Sequence, residues 1–173
     1  MPRESHLRVD SGVDIGVDAG ALKPVAESQW NGIIDHHKPY SKLEDSPMPF
    51  TQISLRKGKP LDYRRKLMEE VYLAMRESID TPENDRFATV TEFEDGNFDN
   101  SADYLGISRS DDIVYIRITL NRGRTRDKKK ALYAKIGERL NANLGVRTED
   151  IVICLVEVSP EDWSLGNGVA QYA

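Results

Sequence analysis

Apolar residues recur every fourth position in two stretches of this chain: Leu67, Val71, Met75 and Ile79, then Leu132, Ile136, Leu140 and Leu144. Each set draws one apolar stripe along a helix. The first helix is predicted near Leu61–Ile79, with Pro60 at its opening, where a missing N–H costs little. Short β-branched and aromatic runs flank the stripes. Phe50–Leu55 and Phe87–Phe93 bracket the first, and a run ending in Ile118-Thr119-Leu120 and the segment Ile151–Val158 bracket the second. The two halves are one pattern repeated at an offset of 65 residues. Ile53-Ser54-Leu55 matches Ile118-Thr119-Leu120, Lys57-Gly58-Lys59 matches Arg122-Gly123-Arg124, and Glu83-Asn84-Asp85 answers Thr148-Glu149-Asp150. A repeat that keeps register from strand through helix to strand marks a duplicated structural unit.

Each unit, about 49–94 and 114–159, is therefore strand, helix, strand. A crossover helix of this length implies parallel strands within a unit. The expected fold class is α+β, a two-layer α/β arrangement whose tandem β-α-β units form a four-stranded sheet with two helices on one face. Ile113, Tyr115, Ile151, Ile153 and Leu155 offer more apolar surface than one helical layer covers. The sheet is expected to find its second layer in copies of itself.

Residues 1–47 break the pattern, with few clustered apolar side chains and no sustained period. They read as a leader or arm, with a short ordered piece at 25–34, ahead of one domain at 48–173. All three histidines, His6, His36 and His37, fall in this leader. Adjacent histidines point apart and nothing nearby supports them as metal ligands, so His36 and His37 read as a solvated loop.

Charge and composition narrow the function. A formal charge of −5 and the absence of a basic domain argue against non-specific binding to nucleic acid or an anionic membrane surface. No stretch approaches a membrane span or a signal peptide, which predicts a cytoplasmic protein. The single cysteine, Cys154, lies in the run Ile151-Val152-Ile153-Cys154-Leu155-Val156 and reads as a small buried hydrophobe. With no histidine after His37, the core must work without a histidine base, a Ser-His-Asp triad or a histidine metal site. Gly166-Asn167-Gly168 lacks the context of a phosphate loop and reads as a turn.

The basic turn Asn121-Arg122-Gly123-Arg124-Thr125-Arg126 remains. Two arginines separated by a glycine, at the end of a parallel strand, can aim their forks into one pocket and hold a carboxylate or phosphate bidentately. A solvated turn is the alternative that spacing alone leaves open. Arg126 and Lys128 to Lys130 read as helix surface, and Asp85 taken alone reads as a capping or surface carboxylate.

Four segments, in order over the repeated frame, carry a resemblance: Met48-Pro49 before a strand, Pro82-Glu83-Asn84-Asp85-Arg86-Phe87, Asn121-Arg122-Gly123-Arg124, and Asp162-Trp163-Ser164-Leu165-Gly166-Asn167-Gly168. From Met48 to about Ala170 the chain resembles the tautomerase superfamily, most closely its malonate semialdehyde decarboxylase branch. The resemblance implies a homotrimer of doubled units that needs no cofactor and no metal. It makes Pro49 the catalytic amine and Asp85 the catalytic carboxylate. Arg122 and Arg124 become the grip on a small carboxylate substrate, and Trp163 a wall of the pocket. Leu165 stands where the family motif usually has a second aromatic, which changes the pocket's shape. The implied chemistry is decarboxylation, hydration or tautomerisation of a small oxo acid such as 3-oxopropanoate.

That chemistry needs a proline amine, and an internal proline nitrogen is an amide with neither a basic lone pair nor a proton to give. Three expectations follow: Met48 is the true initiator and its removal exposes Pro49, a protease cuts after Met48, or the extended chain is authentic. Met1-Pro2 would also free a proline, yet the Arg-Glu-Ser-His run behind it starts no strand. On the third expectation the arm blocks the site or has taken another role and activity is lost or altered; the alternative function is then that of a catalytically inactive oligomeric or small-anion binding protein.

Overall fold

The fold comes from a computed structural model, which describes residues 48–172. The leader segments at 25–34 and His36-His37 lie outside the described residues.

Strand β1 (Phe50–Arg56) leads through the Gly58 turn to helix α1 (Leu61–Ile79) and strand β2 (Phe87–Phe93). A loop then reaches β3 (Val114–Asn121), α2 (Arg126–Leu144) and β4 (Ile151–Val158). The sheet order is β2-β1-β3-β4, parallel within each unit and antiparallel where β1 meets β3. Gln52 pairs directly with Arg117, and these two residues are themselves separated by the repeat offset. The dyad relating the two units therefore passes between them.

The duplication extends to individual backbone bonds. Lys57 N–H donates to Phe93 O at 2.9 Å, and its counterpart Arg122 N–H donates to Val158 O at the same distance. Gly58 and Gly123 both turn at φ near +120°, at 120° and 117°, a conformation that only glycine adopts without strain. Both helices end in a left-handed residue, Asp80 and Gly145.

The apolar stripes are buried as their spacing requires: Leu67, Val71, Met75 and Ile79 from α1 meet Leu132, Ile136 and Leu140 from α2. Beneath them lie Ile53 and Leu55 of β1 and Val114, Ile116, Ile118 and Leu120 of β3.

The uncovered face differs from the sequence expectation. Strand alternation turns Ile151, Ile153 and Leu155 toward the helices, where they pack on the core, and Ile113 is buried as well. Gln52 and Arg117 stand exposed at the centre of the other face, with Val152 and Val156 of β4 to one side. Part of that face is covered by the chain's own β2–β3 loop. Phe98 packs on Tyr115 with ring centroids 5.0 Å apart, and Tyr115 Oη donates to Asp99 O at 2.9 Å. Cys154 corrects the sequence reading: alternation beside Arg117 puts it on this open face, and it is exposed. Among the described residues, no helix is long and apolar enough to cross a membrane.

Candidate active site

One end of the sheet collects the sequence candidates, because the heads of β1 and β2 lie beside the tails of β3 and β4. Phe50 pairs with Phe87 on one side and Thr119 on the other. Two residues earlier, the same register sets Met48 level with Asp85 and Asn121. Pro49 and Met48 are both buried. Met48 holds a φ of 29°, a strained value for a residue with a side chain.

Asp85 does not cap or face solvent as its isolated sequence context suggested. Both carboxylate oxygens are buried, and neither accepts a hydrogen bond of normal geometry from a described residue. Burial pushes its carboxyl above the usual carboxylate range, while the nearby Met48 N–H and the Arg124 guanidinium act in the opposite direction.

The duplication supplies an internal control. Asp150 is the repeat counterpart of Asp85 and is also buried, 1% exposed. Ser110 donates to it twice, from its N–H at 2.6 Å and its hydroxyl at 2.7 Å, and Arg147 lies 3.6 Å away. One fold position thus carries two carboxylates. Asp150 is satisfied as part of the structure, whereas Asp85, level with Met48, has no hydrogen bond of normal geometry from a described residue.

Stability should register the contrast with opposite signs. A carboxyl whose folded pKa is raised adds stability below its ordinary pKa and loses it as pH rises through the folded value. Asp85→Asn is therefore expected to be more stable than the native chain at neutral pH by about 1 kcal/mol, roughly 4 °C in Tm, with the gain vanishing in acid. Asp150→Ala is expected to lose about 3 kcal/mol, because it strands Ser110 and Arg147. Thermal melts across pH 4 to 8 would check both signs.

The arginine turn lies across the same end. Arg124 is half-buried and its Nη1 donates to Asn121 O. Arg122 is exposed. Both line a cleft of ≈390 Å³ with Gly123, Thr125, Ile79, Asp80 and Lys128 at the start of α2. Thr125 caps that helix, accepting from Lys128 N–H at 3.3 Å. Lys128 is exposed helix surface, as expected, and it also lines the cleft and pairs with Asp80 at 2.9 Å. Lys129 does behave as surface, paired with Glu157 at 2.7 Å.

The tail after β4 returns Trp163 to this end. A reciprocal capping box between Ser159 and Asp162 sets the turn, and Trp163 Nε1 donates to Asn121 Oδ1 at 2.7 Å. Leu165 lies two residues on, 38% exposed, its N–H held by Gln171 Oε1 at 2.9 Å. Gly166-Asn167-Gly168 forms the expected turn, with all three residues at positive φ. Asn121 and Met48 are the residues whose place at the site sequence reasoning missed. Only their position, one at a strand's last residue and one before its partner's first, hinted at it.

Several known proteins are similar to this chain. A family model described as "Tautomerase enzyme" matches residues 85–166. The probable tautomerase YusQ of Bacillus subtilis (strain 168) is 43% identical over 124 residues, 72% of this chain and 98% of that protein. The probable tautomerase YrdN of the same strain is 29% identical over 72% of this chain and 96% of its own length. Among solved structures, a malonate semialdehyde decarboxylase inhibited by 3-bromopropiolate aligns at a TM-score of 0.67 and 33% identity, covering 71% of this chain and 93% of its own. A malonate semialdehyde decarboxylase with decarboxylase and hydratase activities aligns at 0.67 and 28%, covering 71% and 95%. By fold, by these identities over nearly the whole of each relative, and by a duplicated β-α-β frame that gathers Pro49, Asp85 and the arginine turn, the chain belongs to the tautomerase superfamily.

Proposed function

We propose that this protein is a cofactor-independent lyase or isomerase that acts on a small oxo acid such as 3-oxopropanoate once Pro49 carries a free amine. The observation that carries the reading is the buried carboxylate of Asp85, unsatisfied beside Pro49 while its counterpart Asp150 is fully partnered. Natural proteins keep a buried carboxylate short of well-formed hydrogen bonds at a cost, and functional sites are where that cost is tolerated. A prolinium at the head of β1 would supply the missing partner.

In this reading Arg122 and Arg124 fix the substrate carboxylate. The prolinium N–H, with Asp85 alongside, hydrogen-bonds to the 3-carbonyl oxygen. The bond from C2 to the carboxylate carbon then breaks, carbon dioxide leaves, and the electron pair enters the C2–C3 bond of an enolate. Positive charge set in place before the reaction stabilises that developing oxyanion. A proton delivered to C2 completes an aldehyde. The same groups suit hydration of a conjugated acid or keto–enol proton transfer. Trp163 walls the pocket, and Leu165 leaves it roomier than a second aromatic would, which shifts preference among short acids by a few kcal/mol at most, on the order of one side chain's contribution.

Assembly as a homotrimer belongs to the same proposal. A solved fused relative is described as a symmetric trimer, at 19% identity and a TM-score of 0.59. The support in this chain is the partly apolar open face with Val152, Cys154 and Val156. Sedimentation of the purified protein would give about three times the monomer mass.

The test of the chemistry is covalent. Protein beginning at Pro49 is expected to be inactivated by 3-bromopropiolate with the adduct on Pro49, mapped by peptide mass spectrometry. Labelling elsewhere with Pro49 untouched would defeat the proposal. One observation favours a second reading, a non-catalytic binding protein: Pro49 is in peptide linkage to Met48, and Met48 is buried against the Asp85 position. Small-acid binding without turnover by any form of the chain would favour it.

A further inference from the structure

We propose that Asn121 is a positioning residue whose neutral side-chain acceptor holds the aromatic wall of the site, beside a carboxylate grip that its main-chain carbonyl holds; the catalytic use of that site rests on the function proposed above. Asn121 ends β3 and is 1% exposed. A buried amide is retained only when its polar atoms are used. Its side-chain Oδ1 accepts the Trp163 indole N–H at 2.7 Å, and its main-chain carbonyl accepts from Arg124 Nη1. One residue therefore joins a side chain from the tail beyond β4 to a guanidinium from the turn before α2.

The sheet itself does not demand an amide here. The repeat counterpart of Asn121 is Arg56, which serves the β2–β3 loop instead, donating to Asn100 at 3.0 Å and pairing with Asp95 at 3.2 Å. A half-buried indole needs an acceptor, since its N–H can only donate. Asparagine and aspartate offer that acceptor with the same shape, but aspartate would add a second anion near Asp85 and within reach of Arg124. A neutral acceptor adds no further anion to compete with a substrate carboxylate at that guanidinium.

The experiment uses the full chain with Trp30→Phe, so that Trp163 is its sole tryptophan. Fluorescence reports the Trp163 environment, and titration with malonate as a carboxylate probe reports the grip. Asn121→Asp is expected to keep the parental emission maximum while weakening malonate binding about tenfold, the effect of one added charge at close range. Asn121→Ala is expected to move the emission to longer wavelength and to weaken malonate binding less than Asn121→Asp does, because alanine keeps the main-chain carbonyl that holds Arg124 and adds no charge. Unchanged emission in Asn121→Ala, or equal malonate affinity in Asn121→Asp and the parent, would overturn the proposal. Should Asn121→Ala fail to fold, the Asn121→Asp arm decides. Should the parent itself not bind malonate, the carboxylate-grip half of this proposal falls for the chain with Met48 in place, and the emission comparison still decides whether Asn121 positions Trp163.

Discussion

Protein whose first residue is Pro49 is expected to turn over 3-oxopropanoate, and the same chain with Met48 still in peptide linkage is expected to be slower by at least about 10³-fold, the range that a positioned acid or base contributes. The peptide bond removes the amine, since an acylated proline nitrogen neither accepts a proton nor, as a tertiary amide, carries one. Geometry adds to the chemistry. Met48 is buried with its N–H near Asp85, so it fills the space beside the Pro49 nitrogen. Releasing it empties that space, removes a strained φ of 29° and gives Asp85 a cation in place of an amide dipole. A continuous assay of acid consumption on both forms would check the ratio. Equal rates would require an acid other than Pro49.

Arg124→Ala is expected to lower kcat/KM by roughly 10²- to 10³-fold, about 3 to 4 kcal/mol of transition-state stabilisation. Arg124 is the half-buried member of the pair, fixed by the Asn121 carbonyl and close enough to influence Asp85. Arg122 is exposed, so solvent screens its charge and the loss on Arg122→Ala should be smaller. Arg124→Lys should recover only part of the rate, because an ammonium lacks the planar fork. Steady-state kinetics of the three variants, in protein beginning at Pro49, would rank them. An Arg122 effect larger than that of Arg124 would move the grip outward to the cleft mouth.

Much of this molecule was legible in the sequence because the repeat constrained it twice. The helix Leu61–Ile79 and the strands Phe87–Phe93 and Ile151–Val158 fall where the patterns placed them, and β1 runs one residue longer, to Arg56. Periodicity reads the inward face of each helix well, since spacing by four has one geometric solution. It reads a short, wholly apolar strand poorly. Ile151 to Val156 gives no alternation to follow, and only pairing with β3 shows that Cys154 faces outward and Ile153 inward.

The site was legible as a set of residue types and less so as an environment. Order along the chain brought Pro49, Asp85, Arg122, Arg124 and Trp163 to notice. Nothing in that order shows that the carboxylate oxygens of Asp85 are buried near Met48 and Arg124, segments far away in sequence, without a hydrogen bond of normal geometry. Lys128 enters the cleft through the turn of α2, and its pairing with Asp80 spans 48 residues. Asn121 was visible as part of the basic turn, but its bond to Trp163 depends on where the tail after β4 returns.

The central claim is that the Pro49 amine and the Asp85 carboxylate form one coupled pair. Its most direct measurement is a titration of the Pro49 nitrogen by ¹⁵N NMR in protein beginning at Pro49, native and Asp85→Asn. A nearby carboxylate favours the cation, so the account predicts that Asp85→Asn lowers the Pro49 pKa from its native value. An identical Pro49 pKa in the two proteins would contradict it.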